Sequence, residues 1–303
     1  MTRFRVIPNL EIGVTAKRAL VLVNPYARRG KSSVDQVRES LERSDIDVIE
    51  ETPSRDHSLS DLIRKHADSV DLVIVGGGDG TLNDSAQALL DTGLPLGVLP
   101  LGTANDFART IGIPLDIPAA IDNIVKGRTT RVDLGEANGY PFFNVASIGF
   151  SADLAMSLTE KAKKYWGKLG YGLVAARLLA DSRLFTATLE HDGVSEELRT
   201  LQIAVGNGRH YGGGMTVHED ATATDGLLDF YSLEVDHWWR LLTLLPSLRK
   251  GTHGRWNDVR AFSTKDLTIR TRKPRRVNLD GELKTQTPVR FTIREKAIAV
   301  FVP

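Results

Sequence analysis

Glycine fills four of the six positions in "GGGDGT" (Gly76–Thr81), which joins an apolar run to a stretch of helical spacing. Glycine reaches φ > 0 without a Cβ clash and lets another molecule approach the main chain. At a strand-to-helix junction such a run presents several N–H groups at a helix N-terminus, where the donors and the helix dipole favour phosphate. Thr81 can cap that helix or bond a phosphate oxygen. Asp79 repels a bare phosphate, so the loop suits a magnesium nucleotide better than a free anion. A tight turn without a ligand would need only one glycine. The run is neither G-x-x-x-x-G-K-[ST] nor G-x-G-x-x-G, the second failing at Thr81.

Two further stretches belong with it. "LPLGTANDFAR" (Leu99–Arg109) is another glycine junction, with Gly102, the hydroxyl of Thr103, and Asn105 and Asp106 entering a helix. "NPYARRGKSS" (Asn24–Ser33) follows the first strand and carries Arg28, Arg29 and Lys31, three cations suited to phosphate charge. Carboxylates gather later. "RVNLDGELKT" (Arg276–Thr285) places Asp280 and Glu282 beside an Asp-Gly hairpin turn, a motif that alone implies only the turn. "TATDGLLDF" (Thr222–Phe230) sets Asp225 in a glycine turn whose carbonyls suit a hard cation. Seven histidines show no H-x-x-x-H or H-E-x-x-H spacing, there is no cysteine, and G-x-S-x-G is absent. Zinc, thiol and serine-hydrolase chemistry are therefore not expected.

These turns need a scaffold. Over the first ~130 residues apolar runs alternate with helical spacing, the pattern of βα units and a largely parallel sheet covered on both faces. The strands are "RALVLVN", "IDVIEE", "DLVIVGGG" and "PLGVLP". The helices are "SSVDQVRESLERS", "SLSDLIRKHADSV", "LNDSAQALLDTG", "TANDFARTIG" and "IPAAIDNIVKG". Ligands of open α/β sheets bind at the strands' carboxyl edge, where both glycine turns fall. After Gly127 period-two patterning takes over around Asn138-Gly139, and hairpins predict a mainly antiparallel β-sandwich, with one long helix over about Ala152–Ala180. The expected domains are 1–130 and 131–290, with the tail of about 290–303 returning to the first.

The 303 residues carry 39 basic and 38 acidic side chains, a net charge of +1, and 41% are hydrophobic. No global field draws such a chain onto nucleic acid or anionic lipid, so nucleic acid is not an expected partner. No run reaches the ~20 apolar residues that span a bilayer, and the N-terminus lacks a signal-peptide core. A cytoplasmic protein, peripheral at a membrane at most, is expected.

Taken in order, "NPYARRGK", "GGGDGTLND", "PLGTANDFAR", "TDGLLD" and "VNLDGE" resemble the diacylglycerol kinase catalytic superfamily, in its bacterial soluble lipid kinase form, across almost the whole chain. The GGDGT loop is shared with NAD kinases and phosphofructokinases; "GTANDFAR" and "NLDGE" point to the lipid branch. The resemblance implies an NAD kinase/phosphofructokinase-like α/β domain followed by the β-sandwich, and an ATP- and Mg2+-dependent enzyme of phospholipid metabolism. It implies ATP contacts at Asn24, Pro25, Arg28, Lys31, Thr52, Gly77, Gly78, Asp79, Gly80, Thr81, Asn83, Asp84, Thr103 and Asp106. Gly30 follows "YARR" where the family has a shorter Ser-Gly, which leaves open which of Arg28, Arg29 and Lys31 reaches phosphate. Glu282 is implied as proton acceptor, with Asp280 the alternative. A structural Mg2+ is implied at Asp225 and the carbonyls of Thr222 and Leu227, with Asp133 supporting it through water. A second Mg2+ would travel with ATP near Asp79.

The expected acceptor is a lipid hydroxyl, of a diacylglycerol-like lipid, phosphatidylglycerol or a sphingoid base, met at a transient membrane surface; a homodimer is allowed. Leu158–Ala180 and Val235–Gly251 mix cations with Tyr and Trp, as interfacial surfaces do, although each also reads as an ordinary amphipathic helix. The competing readings are an NAD- or sugar-type kinase, and a non-catalytic nucleotide- or lipid-binding regulator.

Overall fold

The computed structural model describes residues 10–12, 18–24, 30–54, 56–150, 152, 183–212, 215–217, 221–235, 247, 249–252, 254, 256 and 258–303, without the side chains of 10–12 and 30–33. The chain divides into two compact units. The first comprises Met1–Leu134, Thr222–Gly226 and Arg294–Pro303, and the second Gly135–Ala221 and Leu227–Ile293.

In chain order the first unit holds β1 (Leu10–Ile12), β2 (Arg18–Val23), α1 (Gly30–Glu42), β3 (Asp47–Glu51), α2 (Leu59–His66), β4 (Leu72–Gly77), α3 (Asp79–Thr92), β5 (Leu96–Pro100), α4 (Asp106–Thr110), α5 (Ile117–Val125) and most of β6 (Arg128–Ala137). Strands β5, β4, β2 and β3 lie side by side in that order, all parallel. Helix α1 packs with α5, and α2 with α3. Right-handed crossovers put the two pairs on opposite faces of the sheet. The central strands are therefore apolar along their whole length, with Ala19–Val23, Leu72–Val75 and Leu96–Leu99 buried.

Local chemistry sets the helix ends. Ser58 and Asp61 close a capping box on α2, each backbone N–H reaching the other's side-chain oxygen at 3.2 Å. Hydrogen bonds from Ser58 hold the exposed Asp61 carboxyl below its usual range. Gly93, at φ 70°, ends α3 in the left-handed region. Two boundaries differ from the sequence pattern. Helix α3 begins at Asp79, so the glycine loop forms its first turn. Helix α4 has only five residues, because Asn105 sits at φ 51° and breaks the helical path that the spacing starts at Thr103.

The second unit continues with β7 (Tyr140–Phe142), β8 (Val145–Gly149), β9 (Phe185–His191), β10 (Val194–Thr200), β11 (Gln202–Gly206), β12 (His210–Tyr211), β13 (Met215–Thr216), β14 (Leu228–Leu233), β15 (Val259–Thr264), β16 (Asp266–Thr271), β17 (Arg276–Leu279), β18 (Glu282–Gln286) and the first residues of β19 (Val289–Phe301). One antiparallel layer runs β15-β14-β11-β8-β17-β18. The other runs β10-β9-β16-β19. Alternate residues of both meet in one core, Ile148, Val205, Phe230 and Leu279 from the first and Leu189, Ile269 and Phe291 from the second. Asn138-Gly139, Asp192-Gly193 and Asp280-Gly281 have both residues at positive φ, as two-residue hairpin turns require.

The last residues of β19 belong to the first unit, where Val300 pairs in parallel with Leu96. The helix expected over Ala152–Ala180, and most of the stretch Val235–Gly251, lie outside the described residues. No helix among the described residues is long and apolar enough to cross a membrane.

Gly135 faces Phe142 across the hairpin. A Cβ on Gly135 would stand 2.2 Å from the Phe142 ring, which is fully buried and meets Phe291 edge-on at 6.4 Å. Gly135→Ala is expected to lower unfolding stability by about 1–3 kcal/mol through overpacking. An unchanged urea midpoint would reject this packing account.

Candidate functional site

Strands β2, β4 and β5 deliver three turns to one edge of the first unit's sheet, and main-chain bonds join them. Asn24 N–H donates to the Gly76 carbonyl (2.9 Å), while Leu101 and Gly102 N–H both donate to the Gly77 carbonyl (3.0 and 3.1 Å). Asn24 Nδ2 reaches Thr81 Oγ1 at 3.4 Å. The glycines serve close approach rather than left-handed backbone, since neither Gly76–Gly78 nor Gly102 has positive φ. A Cβ on Gly77 would lie 2.5 Å from the Thr81 side chain, and one on Gly102 would lie 2.4 Å from the Gly78 Cα. The turns "GGGDGT" and "PLGTAND" thus touch backbone to backbone.

Asp79 holds this contact from the side. Its carboxylate accepts the N–H groups of Asp106 (3.1 Å) and Phe107 (2.9 Å), the first donors of α4. It caps a helix that begins 27 positions later, where Asn105 supplies no cap of its own. Nothing in the local spacing signals that partner. Of the other expected nucleotide contacts, Thr103 is exposed on the second turn, Asp106 is buried beneath it, and exposed Thr52 directly follows β3 at the same edge. On α3, Asn83 is buried and Asp84 is exposed. Pro25 and Arg28 lie outside the described residues, as does the side chain of Lys31. Asn105, which the sequence places at the entry to a helix, is buried and tied to the second turn at three points.

In the second unit the two candidate bases occupy different surroundings. Asp280 forms the hairpin turn at φ 49°. Its carboxylate accepts three backbone N–H groups, from Phe143 (2.7 Å), Asn144 (2.9 Å) and Val145 (3.0 Å), and its own N–H donates to the Val145 carbonyl (3.1 Å). Glu282 opens the next strand and is exposed, and its side chain makes no hydrogen bond or ion pair among the described residues. One carboxylate closes a turn; the other stands exposed at the start of the next strand.

The turn Thr222–Gly226 returns to the first unit and gathers acids there. Asp225 accepts the Thr222 N–H (3.2 Å) and hydroxyl (3.0 Å). Asp133 accepts the N–H groups of Gly226 (2.8 Å) and Lys296 (2.6 Å), and its own N–H donates to the Ala223 carbonyl (2.7 Å). Glu295 packs against Gly226, where a Cβ would stand 3.0 Å from its carboxyl carbon. Burial pushes the Asp133 carboxyl above its usual range, the two N–H donors oppose that, and the charges of Asp225 and Glu295 add to the rise. Mutual repulsion among hard oxygen donors fits a divalent cation of the Mg2+ type. Among the described residues no three His, Cys, Asp or Glu side chains form a ready metal cluster. Beside Asp225, the carbonyls of Thr222 and Leu227 are the ligands that the family resemblance implies for such a cation.

Comparisons with known proteins bear on the family and fold of the chain. A family model described as the diacylglycerol kinase catalytic domain matches residues 18–137. A second, the YegS C-terminal NAD kinase beta sandwich-like domain, matches residues 144–302. The chain is 31% identical over 297 residues to a diacylglycerol kinase of Mycobacterium tuberculosis, covering 94% of this chain and 95% of that one. It is 36% identical over 233 residues to a "probable lipid kinase YegS-like" protein of Pseudomonas fluorescens, covering 76% and 77% of the two chains. A crystal structure from Bacillus anthracis, described as "a putative diacylglycerol kinase", superposes with a TM-score of 0.84 at 26% identity, over 96% of this chain and 97% of that one.

The contrast between the two hairpin carboxylates can be measured. Asp280→Ala leaves three backbone donors without their acceptor and is expected to cost roughly 2–4 kcal/mol of stability. Glu282→Ala, at an exposed strand end, is expected to stay within about 0.5 kcal/mol of the parent. Equal melting temperatures for the two variants would contradict this division of roles.

Proposed function

The chain belongs to the diacylglycerol kinase catalytic-domain family, and on that premise we propose that it is an ATP- and Mg2+-dependent lipid kinase. The acceptor is the hydroxyl of a diacylglycerol-like lipid, phosphatidylglycerol or a sphingoid base. The observation that carries this reading is the backbone contact of the two glycine turns at the carboxyl edge of a parallel sheet, where main-chain donors can meet a polyphosphate. Asn24, Thr81 and Thr103 offer polar groups at that edge, and Thr52 does so from the neighbouring strand. Arg28, Arg29 and Lys31 follow β2 in sequence and supply positive charge to the phosphates.

In the transfer step the lipid hydroxyl oxygen bonds to the γ-phosphorus. The bond from that phosphorus to the β–γ bridging oxygen breaks, ADP leaves, and the hydroxyl proton passes to the Glu282 carboxylate. Glu282 takes this role over Asp280 because its oxygens are not already occupied by backbone donors. Mg2+ held with the nucleotide would neutralise phosphate charge, and Asp225, with Asp133 and Glu295 beside it, would hold a structural Mg2+ that offsets their mutual repulsion. Lipid acceptors reside in bilayers, so the enzyme works transiently at a membrane surface from the cytoplasm. A small-molecule kinase is the second reading, because the C-terminal model is named for its NAD kinase-like sandwich.

Labelled ATP offered with diacylglycerol, phosphatidylglycerol, sphingoid bases, NAD and sugars separates these readings. Label is expected in a lipid; label in NAD or a sugar alone would establish the second reading, and none anywhere would leave a binding protein. Glu282→Gln is expected to reduce turnover by about 10²–10⁴-fold with ATP affinity unchanged. Full activity in that variant would remove Glu282 from the chemistry. The parent protein is expected to melt at a higher temperature with Mg2+ than with EDTA, and Asp225→Ala to lose that increment; an undiminished increment would exclude the metal from this turn.

A further inference from the structure

Asn105 combines two unusual features at the second glycine turn. Its backbone lies in the left-handed region, at φ 51° and ψ 46°, where Asn is among the few non-glycine residues found with any regularity. Its side chain is buried and bonds only to main chain. The amide nitrogen donates to the carbonyls of Pro100 (3.2 Å) and Gly102 (3.0 Å), and the amide oxygen accepts the Gly102 N–H (2.9 Å). The same Gly102 N–H also reaches the Gly77 carbonyl at 3.1 Å. Both side-chain donors of Asn105 are therefore in use, and its amide has no N–H to offer a ligand.

The consequence falls on the neighbouring turn. Gly102 is the residue whose Cα face meets Gly78, and Asp79 grips α4 immediately after Asn105. We propose that Asn105 is a positioning residue for nucleotide binding: its amide closes the Pro100–Asn105 turn into the shape that seats Gly102 on Gly78 and aims the main-chain donors of both turns at the polyphosphate. The role rests on the reading of this edge as the ATP site. The backbone conformation turns the chain into α4, and the amide fixes the loop that this turn leaves behind. A residue with one of these properties and not the other separates them.

Asn105→Gly retains easy access to the left-handed conformation and deletes the amide. Asn105→Asp keeps an acceptor for the Gly102 N–H but brings a carboxylate against two carbonyls. Assays are run on the full-length protein, well below each variant's melting temperature, with MgATP and diacylglycerol in mixed micelles. Asn105→Gly is expected to raise the KM and Kd for ATP by about tenfold or more, the equivalent of about one of the three side-chain hydrogen bonds it removes. The KM for the lipid is expected to be unchanged and kcat to change less than the KM for ATP. Asn105→Asp is expected to fall between the parent and Asn105→Gly, and it carries the test should the glycine variant not fold. A variant that melts earlier yet binds ATP within twofold of the parent would overturn the role and leave Asn105 a stability residue. A parent protein that binds no MgATP would instead overturn the functional reading, and this role with it.

Discussion

The structure of the candidate site depends on one constraint: two turns of the first unit lie so close that neither has room for a side chain where they meet. A Cβ on Gly102 would fall 2.4 Å from the Gly78 Cα, and that neighbour is backbone, which no rotamer change can move aside. The parallel sheet makes the approach possible by ending β4 and β5 beside one another, Gly77 opposite Pro100. Covering that sheet with helices on both faces buries the apolar runs of its central strands and leaves their carboxyl edge as the place where main-chain polar groups can face a ligand. Glycine is selected there by contact, and the left-handed conformation is left to Asn105.

The acids divide by what surrounds them. Asp79, Asp280 and Asp133 each accept at least two backbone N–H groups, and each joins segments far apart in the chain. A carboxylate satisfied in this way is a fastening, and its removal leaves orphaned donors. Glu282 makes no such bond among the described residues and stands exposed beside the turn that Asp280 closes. The neighbouring positions 280 and 282 thus have separate tasks, one shaping the hairpin tip and the other presented on it. Asp133 differs again. Its burial and its acidic neighbours oppose ionisation while its two donors favour it, a balance that a cation at the Asp225 turn would tip towards the charged form.

Much of this was legible in the residues, and the limits have a physical cause. Periodicity and turn chemistry act over a few positions, so they marked the four parallel strands, the helical stretches of α2 and α3 and the hairpin at Asn138-Gly139. Motif order and family resemblance together carried the two architectures. What escaped were the long-range partners. Asp79 caps a helix 27 positions away, and Asp280 takes donors 135 to 137 positions away. A carboxylate's choice between a cation, a substrate and a backbone donor is made by tertiary structure. The early stop in the helical pattern at Asn105 escaped as well, because a left-handed residue leaves no periodic trace; only the residue type, tolerant of φ > 0, was there to be noticed.

The boundary of the first unit shows the same distinction between sequence pattern and folded body. The family model for the catalytic domain ends at residue 137, near the place where the periodicity changes. The folded unit extends beyond it in space, because Thr222–Gly226 and Arg294–Pro303 return to it. Those returns are bonded in place. Val300 pairs with Leu96, Val302 N–H donates to the Arg128 carbonyl, and Lys296 and Gly226 N–H both end on Asp133. A fragment ending at residue 137 would expose the free side of β5 and leave the buried carboxyl of Asp133 without its two donors. The first unit therefore reaches its full set of bonds only after the final strand has been made, and the segment with the alternating βα pattern is not by itself the body that holds the two glycine turns.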